Sequence, residues 1–200
     1  MARTIAKDHG IKRHKILKTA ARVIADEGIA RASMAQIAGA CGISKANIYH
    51  YYTSKDALLF GILDAYLSAL RDRLCGLDEA SLSPDERLHQ FTRETLLAYD
   101  GMDAEHKIQT EGLPLLPEEQ QMVLKAYQRE MVQALSDVLR DAAPDVLGAD
   151  AGRLRATAMS VFGMLNWFYK WNPRANRAAR EEYAGLVADL TLRGVLGPFG

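Results

Sequence analysis

The sequence predicts an all-α protein, with a small N-terminal three-helix head followed by a larger helical body. Three observations lead there. Apolar residues recur at helical spacing through most of the chain, as at Ile16, Leu17, Ala20, Val23 and Ile24. No stretch alternates apolar and polar residues for long, as a half-buried strand would. Ser, Gly and Pro fall where helices start and stop, at Gly28, Ser33, Gly42, Ser44, Ser54 and Ser83-Pro84.

Taken in order, residues 11–27 form a first amphipathic helix, ended by Gly28. Ser33 caps a short helix to about Ala40, and Gly42 takes the left-handed turn after it. Ser44 caps a second short helix from Lys45 to Tyr51, and Ser54 opens a long one toward Leu74. Ser83-Pro84 starts the next, since Pro suits the first helical position. Gly101, Gly112, Pro114 and Pro117 break residues 100–117. A long helix spans Glu118–Ala142, stopped by Pro144, and a loop follows through Gly152. Two last helices cover about Arg153–Trp171 and Ala178–Leu196, divided by Asn172-Pro173. The domains expected are a head at 1–55, whose residues 1–10 form a flexible basic arm, and a body at 56–200.

The chain has 200 residues and zero formal net charge, but the charge is unevenly placed. Residues 1–60 hold ten Lys/Arg against four Asp/Glu, a net +6, so the remainder carries −6. A basic head on an acidic body suits a polyanionic partner. No apolar run reaches the ~18 residues of a membrane span. The basic N-terminus has no apolar stretch of a secretory signal. Cys41 and Cys75 make no metal or redox spacing, so a cytoplasmic protein with free thiols is expected.

The head explains a crowded stretch, Ser44–Leu58, with three tyrosines, a histidine and two lysines. In Ile37-Ala38-x-x-Cys41-Gly42-Ile43-x-x-x-x-Ile48, Ala38 is small where a second helix crosses and Gly42 turns the chain. The isoleucines and Cys41 pack both helices on the first. This is a helix-turn-helix, and its second helix presents Lys45, Ala46 and Asn47 to a DNA major groove. Lys suits guanine, Asn suits adenine, and Ala46 can touch a thymine methyl. Tyr49, His50, Tyr51 and Lys55 lie further along, where they can reach phosphates. Tyr51 has core packing as an alternative, and Tyr52 is read as a core ring.

The run SMAQIAGACGISKANIYHYYTSKDAL resembles the DNA-binding signature of the tetracycline-repressor (TetR) family, over about residues 10–60. The resemblance implies phosphate contacts for Tyr49 and Lys55 and base reading for Lys45, Ala46 and Asn47. It adds Ser33, a helix cap, to the DNA face, where Ser44 at the start of the second helix is also a candidate. Ala35 stands where many members carry Arg or Lys, and Tyr52 where Phe is usual. It also implies a homodimer on double-stranded DNA with an inverted-repeat operator, and a body that binds a small-molecule effector.

In the body, Tyr183, Leu186, Val187, Leu190, Gly194 and Val195 form one helical stripe. The preceding helix, with Phe162 and Leu165, is apolar nearly all round, so both are expected at a two-fold four-helix interface. Trp167 and Trp171 lie four residues apart, beside Asn166 and Lys170, with Arg174 following. That wall suits an acyl or aryl group with a phosphate-bearing handle, and ordinary packing is the alternative for both tryptophans. Leu165-Asn-Trp-x-Tyr-x-Trp171 is similar to the TetR-type repressors that answer to CoA thioesters. Met102, Ile108, Leu113, Tyr127, Met131 and Phe162 are further ligand candidates by position.

Glu86-x-x-His89 and Asp103-x-x-His106 have the carboxylate–histidine spacing of helical di-iron sites, but the further inward glutamates are not apparent. No phosphate-binding loop or nucleophile motif is present. The expectation is a non-enzymatic, ligand-released repressor without cofactor or metal, answering to an acyl- or aryl-CoA thioester. The alternative effector is an uncharged hydrophobic or aromatic ligand of an efflux or stress operon.

Overall fold

The computed structural model describes residues 2–78 and 80–196. Among these the regular structure is helical: α1 (Ala2–Glu27), α2 (Met34–Cys41), α3 (Lys45–Tyr51), α4 (Lys55–Cys75), α5 (Pro84–Ala98), α6 (Asp103–Gly112), α7 (Glu118–Ala142), α8 (Pro144–Leu147), α9 (Ala151–Trp171) and α10 (Arg177–Leu196). A 3-10 turn, Leu113–Leu115, joins α6 to α7. None of the described helices is long and apolar enough to cross a membrane.

The chain packs as two compact units. The first holds the chain through Ser68 together with Gly101–Lys125, and the second holds Ala69–Asp100 and the chain from Ala126 on. The expected boundary at residue 55 therefore falls within the first unit. The expected arm is helical, because Ala2–Gly10 forms the opening turns of α1 and neither a Pro nor a cap separates them from the rest. Met1 lies outside the described residues.

In the first unit α1 buries Ile16, Leu17, Ala20, Ala21 and Ile24, with Ile37, Ala38 and Ile48 of α2 and α3 also buried. The segment expected to be broken is mostly helical, and α6 packs along α1. Lys18 on α1 ion-pairs with the buried Glu105 at 3.0 Å and donates to the Gly101 carbonyl at 3.2 Å. Lys107 donates to the Ala25 carbonyl, and Tyr66 of α4 bonds His106 Nδ1 at 2.8 Å. Gly112 ends α6 where a Cβ would stand 3.2–3.3 Å from Leu59 and Ile29, so close packing explains the glycine.

In the second unit α10 packs along α5 and against α9. Phe91 and Phe162 meet edge to face at 6.1 Å, and Phe168 stacks on Tyr183 at 4.8 Å. Thr92 and Thr95 are buried within α5, their hydroxyls donating to the Leu88 and Phe91 carbonyls. Arg93–Glu181 and His89–Asp189 pairs tie α5 to α10 at 2.6 and 3.0 Å. Pro144, expected only to stop α7, also opens the one-turn α8, as its fixed φ allows at the first helical position.

Gly61 gives a test of the head's packing. A Cβ there would stand 2.9 Å from Cε1 of the buried Tyr52 ring. Gly61→Ala improves helix propensity by about 1 kcal/mol, yet overpacking costs about 1–3 kcal/mol. The variant should melt at a lower temperature than the parent. Adding Tyr52→Leu should cost less in Gly61→Ala than in the parent.

Candidate nucleic-acid interface and body face

Three local devices fix the head. Ser33 has extended backbone, and its Oγ accepts from the Gln36 amide at 3.3 Å, while Gln36 Oε1 accepts from the Ser33 amide at 2.9 Å. This capping box starts α2. Gly42 ends it at φ 68°, ψ 30°, where the Ile43 amide reaches back to the Ala38 carbonyl at 3.0 Å. Two residues later Ser44 caps α3 by accepting from the Asn47 amide at 3.1 Å.

With Ile48 fully buried against the core, the opposite side of α3 faces outward. Ser44, Lys45, Ala46, Asn47, Tyr49 and His50 are all exposed, as is Ser33 at the start of α2. Tyr51 is half-buried and meets the His50 ring edge-on at 5.9 Å. Tyr52 is buried, as its reading as a core ring expects. Cys41 is half-buried, and burial pushes its thiol pKa up, which disfavours a reactive thiolate.

Lys55 has partners that the sequence does not suggest. Its ammonium turns to the chain's own backbone, donating to the carbonyls of Ile29 at 2.7 Å, Ala32 at 3.2 Å and Ala30 at 3.4 Å. A residue expected at a phosphate is half-buried, its ammonium bonded to nearby carbonyls that sequence spacing does not reveal.

The ligand candidates are divided between the two units. Met102, Ile108 and Leu113 belong to the first unit, and the others to the second. Ile108, Leu113, Met131 and Phe162 are buried core residues. Met102 touches the Lys18 ammonium through its sulfur. Tyr127 carries the Arg71 guanidinium 4.8 Å above its ring. Asn166 Oδ1 accepts from the buried Tyr99 hydroxyl at 2.6 Å, and burial raises the pKa of that phenol. Trp167 and Trp171 are 63% and 53% exposed, so they are not the wall of an enclosed pocket in the single chain. Lys170 Nζ lies 5.8 Å from the Trp167 ring centre, and Trp171 also meets the Phe168 and Tyr183 rings edge-on. Arg174 is exposed in the turn before α10, with a left-handed φ of 70°.

The residues expected at a dimer interface divide between core and surface. Phe162, Leu165 and Val187 are buried in the chain's own core. Tyr183 is half-buried under Phe168. Leu186, Leu190 and Gly194 are exposed, and Val195 lies outside the residues whose side chains are described. On α9 the outward apolar residues include Met159, which spacing does not single out, together with Trp167 and Trp171. Both helices thus have a core side and an outer apolar side, and periodicity alone does not say which is which.

A groove of about 380 Å³ indents this face between α8, α9 and α10, lined by Leu147, Ala156, Met164, Leu190 and Gly194 among others. The hydroxyls of Thr157, Ser160 and Thr191 line it but donate to their own helices' carbonyls. The acid–histidine spacings are engaged elsewhere. Glu86 accepts from Ser83 in a capping box, and His89 pairs with Asp189. No group of three or more potential metal ligands gathers among the described residues.

Gly42 offers a clean test of the turn. A Cβ there meets nothing within 4 Å, so a substitution acts through the left-handed backbone alone. Gly42→Ala should destabilise the protein by about 1–2 kcal/mol, and Gly42→Asn by less, as read from urea unfolding.

Comparison with known proteins agrees with this architecture. The family profile "Bacterial regulatory proteins, tetR family" matches residues 16–62, and "Tetracyclin repressor-like, C-terminal domain" matches residues 81–195. The regulator BetI of Rhizobium meliloti is 33% identical over 88 residues, which is 44% of this chain and 43% of that protein. The chain spans less than half the length of such curated relatives. A TetR-family regulator from Bordetella parapertussis 12822 is 30% identical, with a TM-score of 0.83 over 94% of this chain and 97% of that one. AibR, solved in complex with isovaleryl coenzyme A and operator DNA, is 28% identical, with a TM-score of 0.74 over 94% of this chain and all of that one. The chain belongs to the tetR family of bacterial regulatory proteins.

Proposed function

We propose that the protein is a cytoplasmic transcriptional repressor that binds an inverted-repeat operator as a homodimer and is released by a small-molecule effector. The observation that carries this reading is the outer face of α3, where capped helices leave Lys45, Ala46, Asn47, Tyr49 and His50 exposed together. Lys45 and Asn47 read base edges, and Ala46 packs on a thymine methyl. Tyr49 and the groups around it, with Ser33, hold the sugar–phosphate backbone and set the register.

Pairing of two copies uses the outer face of α9 and α10, with Met159, Trp167, Trp171, Leu186 and Leu190 as its apolar anchors. The tryptophans then serve the interface, and a two-fold axis through it carries two heads to two half-sites. The effector is an acyl- or aryl-CoA thioester. Support comes from the Leu165–Trp171 resemblance and from AibR, whose structure holds isovaleryl coenzyme A and operator DNA. Release needs only that the effector bind the DNA-free form better, by a coupling of ~1–3 kcal/mol.

A thermal melt of the full chain against CoA thioesters, their free acids and free CoA tests the effector. A ligand at about a hundred times its Kd adds ~2.7 kcal/mol, a rise of roughly 5–10 °C for a chain of this size. A rise with one class of thioester, and none with its free acid, is the expected result. Silence across the thioesters with a rise from uncharged aromatic compounds would overturn the CoA assignment and favour an efflux or stress signal.

A further inference from the structure

The resemblance puts Lys55 among phosphate-contacting residues, but its hydrogen bonds point elsewhere. Its Nζ faces the carbonyls of Ile29, Ala30 and Ala32, all on the link between α1 and α2. An ammonium has three protons and no acceptor, so three carbonyls occupy every donor. The bonds to Ile29 and Ala32 are partly buried, and a phosphate could be reached only by giving up part of this set.

These carbonyls lie at a sensitive place. Gly28 leaves α1 with a left-handed φ of 88°, and the Ala32 amide bonds the Gly28 carbonyl at 3.0 Å. Ala32 is buried, and the next residue, Ser33, is the cap that starts α2. Arg31 turns back to the Glu27 carbonyl at 2.7 Å, helping to finish α1. Lys55, the first residue of α4, thus ties the start of that helix to the chain just before α2.

We propose that Lys55 is a positioning residue of the DNA-binding head: it pins the α1–α2 link, so fixing where Ser33 begins α2 and how α3 is presented, without touching DNA. This rests on the reading that α3 binds DNA. The site also distinguishes lysine from arginine. A compact ammonium spreads three protons toward three converging carbonyls, whereas a guanidinium holds its donors in one plane.

The test uses the full chain, Lys55→Arg and Lys55→Gln, each confirmed folded by its circular dichroism melt. The probe is a duplex selected from a random double-stranded pool by the parent chain, and affinity is measured across a salt series. Both variants should bind about tenfold more weakly or worse, equivalent to a loss of about 1.4 kcal/mol. The slope of log K against log salt should match the parent's, because no phosphate contact is lost. Amide exchange at residues 29–36 should quicken in both. If Lys55 instead holds a phosphate, Lys55→Arg keeps affinity and Lys55→Gln lowers the slope by about 0.9; that result overturns the proposal, as does unchanged affinity in both variants. Should Lys55→Gln not fold, the arginine variant decides alone. A parent that binds no duplex even at low salt would sink the reading of the head itself, and the proposal with it.

Discussion

The left-handed turn at Gly42 holds the head in its working shape. At φ 68° it closes α2 with the Ile43 amide bonded to the Ala38 carbonyl, and Ser44 restarts the helix two residues later. The angle between α2 and α3 follows from that short link. So does the choice of side: Ile48 falls into the core, and Lys45, Asn47 and Tyr49 fall outward. Exposing the Lys45 ammonium and the Asn47 amide costs little, since water already satisfies them. The turn therefore converts ordinary core burial into a surface ready for a polyanion.

The body solves a different problem. Its helices α9 and α10 are apolar on two sides, and one chain supplies partners for only one. Phe162, Leu165 and Val187 fill the inner side. Trp167, Trp171, Leu186 and Leu190 stay half or more exposed on the outer one. Large apolar residues grouped in this way favour burial against another surface. In the proposed homodimer a second copy offers the same face in return, which a two-fold axis makes self-complementary.

Much of the head is written in neighbouring residues. A Ser cap, a Gly turn and an apolar period act over three to eight positions, so Ser33, Gly42, Ser44 and Ile48 could be placed from the sequence. Contacts between distant residues could not. Nothing near Lys18 announces Glu105, yet their ion pair helps hold α6 on α1 and carries the first unit past residue 55. Lys55 shows the same limit at shorter range, because its acceptors are backbone carbonyls, which every residue has. Which side of α9 and α10 stays open on the single chain is hidden from the sequence for a related reason. Spacing marks a residue as apolar and aligned, as at Val187 and Leu190, but only packing shows that one is buried and the other open. The chemistry of the tryptophans suits a ligand wall, and only packing shows that both are exposed on the single chain.

The most direct test of the account is selection of bound duplexes from a random double-stranded pool by the purified full chain. Two α3 helices related by a two-fold axis should enrich an inverted repeat, with half-sites about one helical turn, or a multiple of it, apart. Enrichment of a single unsymmetrical site, or none above the input pool, would contradict the claim that paired heads read DNA through α3.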